Sequence, residues 1–330
     1  MTLMSRIAPQ LIALAALVAL VSVFYPGFLS VEVQNDRLVG PVIDILKRSA
    51  PVALLAVGMT LVIATRGIDL SVGTIMAICG AAAAWALTAG LGAGAALALA
   101  LGAGLMAGLW NGVLVAVVGI QPFVATLILM TMGRGVAQLI TEGRILTFTD
   151  PGFSWLGSGT ALGLPVPVWI WLATAAAAAL LMRRTALGLL VEAVGINRRA
   201  ALLAGVNATV LLIAVYVASG FCAALAGIIV TADIRGADAN NAGLWLELDA
   251  ILAVVIGGNS LLGGRFSIAA SVLGALIIQT ISAGILLAGF ASEYNLIIKA
   301  GLVLVILILQ SPRIASEWRL WRDSHRAQGG

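Results

Sequence analysis

The chain has 330 residues, 62% of them hydrophobic and 10% charged, with a mean hydropathy of +1.12 and a net charge of +4. A soluble domain carries about 25% charged residues, whereas the stretch from Leu70 to Gly133 holds no Asp, Glu, Lys or Arg at all, which is room for about three spans of ~20 residues. A polytopic membrane protein is implied. Its single histidine, His325, and its two cysteines, Cys79 and Cys222, the latter within apolar runs, offer no metal spacing, no disulfide framework and no His-based catalysis. The basic excess orients a membrane chain rather than binding nucleic acid.

In chain order, Arg6 precedes an apolar run from Leu11 to Phe24 that ends at Tyr25-Pro26-Gly27 with no small-x-small cleavage site, so a retained first span is expected. Apolar runs against polar and Gly/Pro punctuation predict an all-α protein of about ten transmembrane helices, near 10–30, 49–65, 70–90, 93–118, 122–141, 165–182, 208–231, 249–264, 267–288 and 294–310. The eighth is short and glycine-rich. With the N-terminus in the cytoplasm, Arg6, Arg66, Arg183, Arg184, Arg198, Arg199, Arg265 and the arginines of the tail face that side. Arg37, Lys47, Arg48, Arg144 and Arg235 face the other. This satisfies the positive-inside rule and puts both termini, with the tail 311–330, in the cytoplasm. The parity permits an inverted repeat of spans two to five on spans seven to ten.

The polar residues left among these spans are the candidate functional groups. Asp69 and Ser71, between spans two and three, are placed to cap the start of span three. The glycines and alanines of 80–84 and 102–108 suit close helix packing. Asn111, Gln121 and Gln279 read either as pathway contacts or as interhelical hydrogen bonds. Arg134, ~18 Å along its span from Pro122, needs a partner, and Glu247 or Asp249 is nearest by depth.

The longest cytoplasmic connection, 183–207, reads as two short helical pieces split at Gly195. Its apolar faces either dock a cytoplasmic partner or lie on the membrane surface. An outer loop with Asp238, Asn240, Asn241, Trp245, Glu247 and Asp249 suits sugar hydroxyls and ring faces, or docking of a partner. Gly257 to Gly264, around Asn259, either bends span eight beside the permeation path or forms a simple turn.

Neither Lys47 nor Lys299 sits in a Walker A loop, and no nucleophile–base pair is evident. The chain therefore reads as a non-enzyme with no catalytic residue, metal or cofactor of its own. An ion-coupled secondary transporter is the alternative. It needs ionisable groups near the midplane, whereas the carboxylates here fall at span ends.

Several motifs occur together in order: Thr60 to Thr65 followed by Gly67-Ile68-Asp69-Leu70-Ser71-Val72-Gly73, then Asn111-Gly112, Gln121-Pro122-Phe123, Arg134-Gly135, Glu247-Leu248-Asp249, and Gly257-Gly258 through Gly263-Gly264. From about residue 40 to 310 the chain resembles the ribose/galactoside-type permeases of ATP-binding-cassette (ABC) importers, and 232–247 is most similar to members that import galactofuranose. The resemblance implies a single permease domain over 1–330 in the bacterial inner membrane, paired with a second permease subunit, a heterodimer more than a homodimer. It also implies a periplasmic sugar-binding protein and a cytoplasmic ATPase that binds ATP and Mg. Asp69, Ser71, Asn111, Gln121, Arg134, Asn259 and Gln279 would then lie along or gate the pathway. Gly195, Asn197, Ala200, Gly205, Val206 and Asn207 would belong to the segment that seats in the ATPase. Arg66 departs from the pattern, because relatives commonly have glycine there.

Overall fold

The computed structural model describes residues 3–34, 37–290 and 293–310, and helices dominate it. In chain order they are α1 (Leu3–Phe24), α2 (Pro41–Arg48), α3 (Ala50–Ala64), α4 (Val72–Thr88), α5 (Gly92–Val113), α6 (Pro122–Thr141), α7 (Pro151–Ser158), α8 (Val166–Arg184), α9 (Leu187–Ile196), α10 (Arg198–Leu203), α11 (Ala208–Ile234), α12 (Leu246–Ile256), α13 (Ile268–Leu287) and α14 (Glu293–Gln310). Two-stranded antiparallel pieces join the loops. They are β1 (Glu32–Gln34) with β2 (Arg37–Val39), β3 (Leu146–Thr147) with β6 (Gly236–Ala237), and β4 (Thr160–Ala161) with β5 (Leu164–Pro165).

Local chemistry explains many boundaries. Pro41, Pro122 and Pro151 open α2, α6 and α7, where a missing N–H costs nothing. Asp150 caps α7 by accepting from the Phe153 N–H at 2.7 Å. A π-helical turn, Leu114–Val118, extends α5 until Gly119 ends it at φ +82°.

Each of the ten apolar segments contains a helix, but their lengths differ. Among the described residues six helices are long and apolar enough to cross a membrane: α1, α5 with its π-turn, α6, α8, α11 and α13. The pair α2–α3, bent by 42°, makes a seventh if taken as one span. With 17 residues α4 is shorter, and α12 has only 11. At 1.5 Å per residue α12 reaches about 16 Å, half the hydrocarbon core. The span expected at 249–264 is thus corrected: the helix ends at Ile256, and 257–267 is non-helical.

Residues 1–280 form one compact unit. Every residue of α3 except Pro51 is buried, as an all-apolar helix requires when protein surrounds it. Against it lies α11, which also packs on α4 and α5. Backbones approach closely there: a Cβ on Gly58 would stand 2.8 Å from the Ser219 Cα, and Gly104 and Gly108 back onto Gly220 and Tyr216. Gly80 packs on Thr231, but Gly102 faces open space, so only part of the expected small-residue stripe is an interface. Cys79 and Cys222 are buried free thiols. The second unit begins at Ile281. Within it the rings of Phe290 and Tyr294 meet at a tilt, their centroids 5.8 Å apart, and the Ser282 hydroxyl donates to Asn295 at 3.2 Å. The tail 311–330, with His325, lies outside the described residues.

Candidate functional site

The turn that ends α3 determines where Asp69 goes. Arg66 and Gly67 donate backbone N–H groups to the carbonyls of Ile63 (2.9 Å) and Val62 (3.0 Å), the hydrogen-bond pair of a Schellman motif. Arg66 occupies its left-handed position at φ +63°, where glycine is usual and an L side chain costs ~1–2 kcal/mol. The chain then folds back between helices. Thr126 of α6 holds this segment by accepting from the Leu70 N–H at 3.2 Å, its own hydroxyl proton being shared between the Ile68 carbonyl at 3.2 Å and the Pro122 carbonyl at 3.0 Å.

Asp69 is completely buried. Its Oδ1 accepts from the Ser71 hydroxyl at 2.6 Å and the Ser71 N–H at 3.1 Å, and its Oδ2 accepts from the Ser219 hydroxyl at 2.8 Å. Asn111 of α5 donates to the Ser71 hydroxyl at 2.8 Å. The capping expectation is therefore half right. Asp69 does accept a backbone N–H, but the Ser71 hydroxyl turns toward Asp69 and makes no cap bond to α4. Ser219 is the twelfth residue of α11, roughly 16 Å from its start, so the carboxylate sits at mid-helix depth and not at a span end. That corrects the sequence reading. The amide oxygen of Asn111 and the hydroxyl of Tyr216 are buried here without a hydrogen-bond partner among the described residues.

A second re-entrant segment meets the first. After β6 the chain dips inward through 238–245, and Gly243, at φ +73°, touches Gly73 backbone to backbone. Arg134 holds this loop, its guanidinium donating to the carbonyls of Ala239 at 2.9 Å and Ala242 at 2.7 Å. Both bonds leave from one terminal nitrogen, Nη1, and of the two expected partners Glu247 acts on the guanidinium through its charge, as does Asp238. Glu247 and Asp249, in the first turn of α12, are buried, so neither is open to a docking protein. Asn240 and Asn241 are exposed, and Trp245, at φ +65°, is 49% exposed. Gln138 donates to Asn240 at 2.8 Å. Asp238 accepts from the Asn241 side chain at 2.7 Å and from the N–H groups of Asn240 and Asn241. These bonds, led by the Asn241 amide, hold its carboxyl below the ordinary range despite partial burial.

The remaining expected pathway residues do not join this cluster. Buried Asn259 accepts from the Ser267 N–H at 2.6 Å and donates to the Ser271 hydroxyl at 2.8 Å; Thr60 of α3 donates to the same hydroxyl at 2.7 Å. It ties the 257–267 loop to α3 and α13. Gln279 donates to the Arg48 carbonyl at 2.7 Å. Gln121 is exposed at the start of α6, outside the helix interior where its polarity had placed it.

The segment 183–207 does form two short helices, but the break falls at Asn197, not Gly195. The Asn197 side chain caps α10, accepting from Ala200 N–H at 3.0 Å, and Asn207 caps α11, accepting from Val210 N–H at 3.1 Å. Gly195 is buried against the Ala64 carbonyl, so closely that no Cβ would fit. The outer face is bare: Ala200, Leu202, Leu203 and Gly205 are exposed, Leu203 by 89%, and Val206 is half-buried. Sequence reasoning missed Ser219, Thr126 and Tyr216. Only the isolated polarity of Ser219 beside Gly220 in an apolar run could have signalled them.

The family model described as "Branched-chain amino acid transport system / permease component" matches residues 42–307. The galactofuranose transporter permease protein of Escherichia coli K12 is 62% identical over 308 residues, covering 93% of this chain and 90% of its own length. The fructose import permease protein of Bifidobacterium longum is 41% identical over 94% of this chain and 89% of its own length. The ribose import permease protein of Escherichia coli K12 is 40% identical over 92% and 93%. No solved structure matches the chain.

Proposed function

The chain belongs to the family of permease components of branched-chain amino acid transport systems, and from that membership we propose that it is the channel-forming subunit of an ATP-driven importer for a galactofuranose-like monosaccharide. The observation that carries the sugar class is the 62% identity, over 93% of the chain, with a galactofuranose transporter permease. The reading places ten helices in the bacterial inner membrane with both ends cytoplasmic. Six to seven of them are of spanning length, and the two short ones, α4 and α12, start at facing re-entrant loops, as an inverted repeat would have them.

The β3–β6 end is then periplasmic. There a sugar-binding protein docks on the exposed Asn240, Asn241 and Trp245 and releases sugar between this chain and a second permease subunit, a different chain. An ATPase, which holds ATP and Mg, seats on α9–α10, where exposed Leu202 and Leu203 need cover. ATP-driven closure moves α9–α10 and rocks the helices, alternating access to the sugar. A differential of ~5.5 kcal/mol moves such an equilibrium from 1:99 to 99:1. Asp69, Ser71, Ser219 and Asn111 hold the core against which the helices move.

The test is co-purification with the proteins encoded beside it, comparing wild type with Gly205→Arg. Gly205 has nothing within 4 Å but stands at φ +86°, so Gly205→Ala serves as the control for backbone strain and the remaining effect of the arginine is on a docking partner. An ATPase that elutes with wild type and is lost from the variant supports both the importer and its docking face; equal elution moves the docking face elsewhere. The mid-depth carboxylate of Asp69 favours one rival, ion-coupled transport. Collapsing the proton gradient while ATP is maintained spares uptake under the importer reading and stops it under the rival.

A further inference from the structure

The contact between Arg66 and the end of α9 has a purpose beyond closing a turn. The Arg66 guanidinium donates to the Ile196 carbonyl at 2.7 Å. Ile196 is the last residue of α9, and its carbonyl is among those a helix leaves without an internal partner. A cation there also meets the negative end of the helix dipole. Around this bond three backbone segments converge. Gly195 packs on the Ala64 carbonyl, Gly264 donates its N–H to that same carbonyl at 2.9 Å, and Gly263 lies against the Arg66 side chain. The end of α3, the end of α9 and the 257–267 loop are thus joined at one node.

Arg66 sits there at a backbone angle that suits glycine better. A residue held in such a conformation persists when the surrounding contacts require it. Here the requirement is reach: no glycine could extend from the turn to Ile196. Three residues on, Asp69 is anchored to Ser71 and Ser219, and Thr126 accepts from the neighbouring Leu70 N–H. The segment 66–71 is therefore bonded at both ends, with α9 at one and the mid-depth cluster at the other.

We propose that Arg66 is a positioning residue for transport, a latch that makes α9–α10 and the Asp69 segment move as one body, so that displacement of the ATPase-docking helices reaches the middle of the membrane. This rests on α9–α10 being the docking segment. Arg198 adds a weaker tie on the other side, its guanidinium standing 3.4 Å from the Ala116 carbonyl at the π-turn. That tie ends on α5 and does not reach Asp69.

The test compares wild type, Arg66→Gly and Arg66→Asn in the full importer reconstituted with its ATPase and binding protein. Both replacements accept the left-handed backbone, and neither reaches Ile196. Hydrogen exchange on the permease in detergent reads the latch alone: amides of 195–203 exchange about fivefold faster in both variants, the factor expected for one ordinary hydrogen bond, while thermal unfolding is unchanged. Sugar imported per ATP hydrolysed reads the coupling, and falls at least as much while the ATPase still co-elutes. Unchanged exchange overturns the latch whatever the importer does. Faster exchange with undiminished sugar per ATP overturns its role in coupling. A wild-type permease that never retains an ATPase sinks the docking reading and with it the coupling, while the exchange result still decides whether the latch exists.

Discussion

Gly73 and Gly243 touch backbone to backbone, each at the start of a half-helix. One of these, α4, runs alongside α11 toward the β3–β6 end, with Gly80 beside Thr231; the other, α12, runs the opposite way, toward the loop whose Gly264 bonds Ala64. A methyl group on Gly243 would overlap the Gly73 carbonyl. Gly243→Ala should therefore cost ~1–3 kcal/mol of overpacking on top of the left-handed backbone penalty, and abolish uptake. Gly102→Ala, which faces open space, should leave both within error. Thermal unfolding in detergent and uptake in vesicles check the pair.

Removing the Asp69 carboxylate leaves the Ser71 and Ser219 hydroxyls without their acceptor in a dry site. Asp69→Ala should destabilise by ~1–3 kcal/mol for each stranded group, and Ser219→Ala by ~1 kcal/mol. The ATPase should still co-elute with Ser219→Ala, because its side chain lies roughly 16 Å along α11 from the α10 end. Loss of the ATPase from that variant would contradict the separation of core from docking face.

Arg134 serves two carbonyls of one loop from a single nitrogen, Nη1, and a lysine ammonium on its flexible stem reproduces the charge but not the planar guanidinium that places it. Arg134→Met should strand both carbonyls, and Arg134→Lys should restore only part of the loss. The expected sign is faster hydrogen exchange through 238–245, ordered wild type, then lysine, then methionine. Equal exchange in all three would mean that the loop is held by Gly73, by Gln138 and by its own Asp238 bonds without help from Arg134.

Asp238 supplies a pH dependence. Its folded-state value is depressed, chiefly by the Asn241 amide, so its contribution is fully present above the ordinary carboxylate value of ~3.9 and is lost as pH falls through the lower one. The loop should stay ordered from neutrality to about pH 5 and loosen only below ~4. Asn241→Ala should move that loosening upward. Fluorescence of half-exposed Trp245, four to five residues beyond these bonds, follows it.

Helix positions were legible in the sequence because composition reports them: ten apolar segments separated by polar or Gly/Pro breaks each hold a helix. The end of α12 was legible only in part: the glycines of 257–264 marked a bend or a turn, but not that the backbone turn at Gly258, φ +78°, ends the helix there outright. The importance of Asp69 was visible and its depth was not. A carboxylate between two apolar runs reads as a boundary unless the chain is known to turn back, and that turn depends on Arg66 taking a conformation foreign to arginine. Arg134 was correctly singled out as needing a partner. The hydrogen bonds it makes, to two alanine carbonyls, have no signature in any side chain.

The eleven-residue α12 constrains how the chain is made. A segment that spans half a bilayer offers too little greasy length to be released sideways from the insertion machinery alone, which selects stretches of about twenty residues. The region from 238 to 267 is then expected to reach its place after α3, α4, α6 and α11 are embedded, settling against the Arg134 guanidinium and the Gly73 backbone. Biogenesis thus has a late step, and a ribosome-bound chain truncated before α13 should show 238–256 still open to water-soluble labels while α11 is already protected.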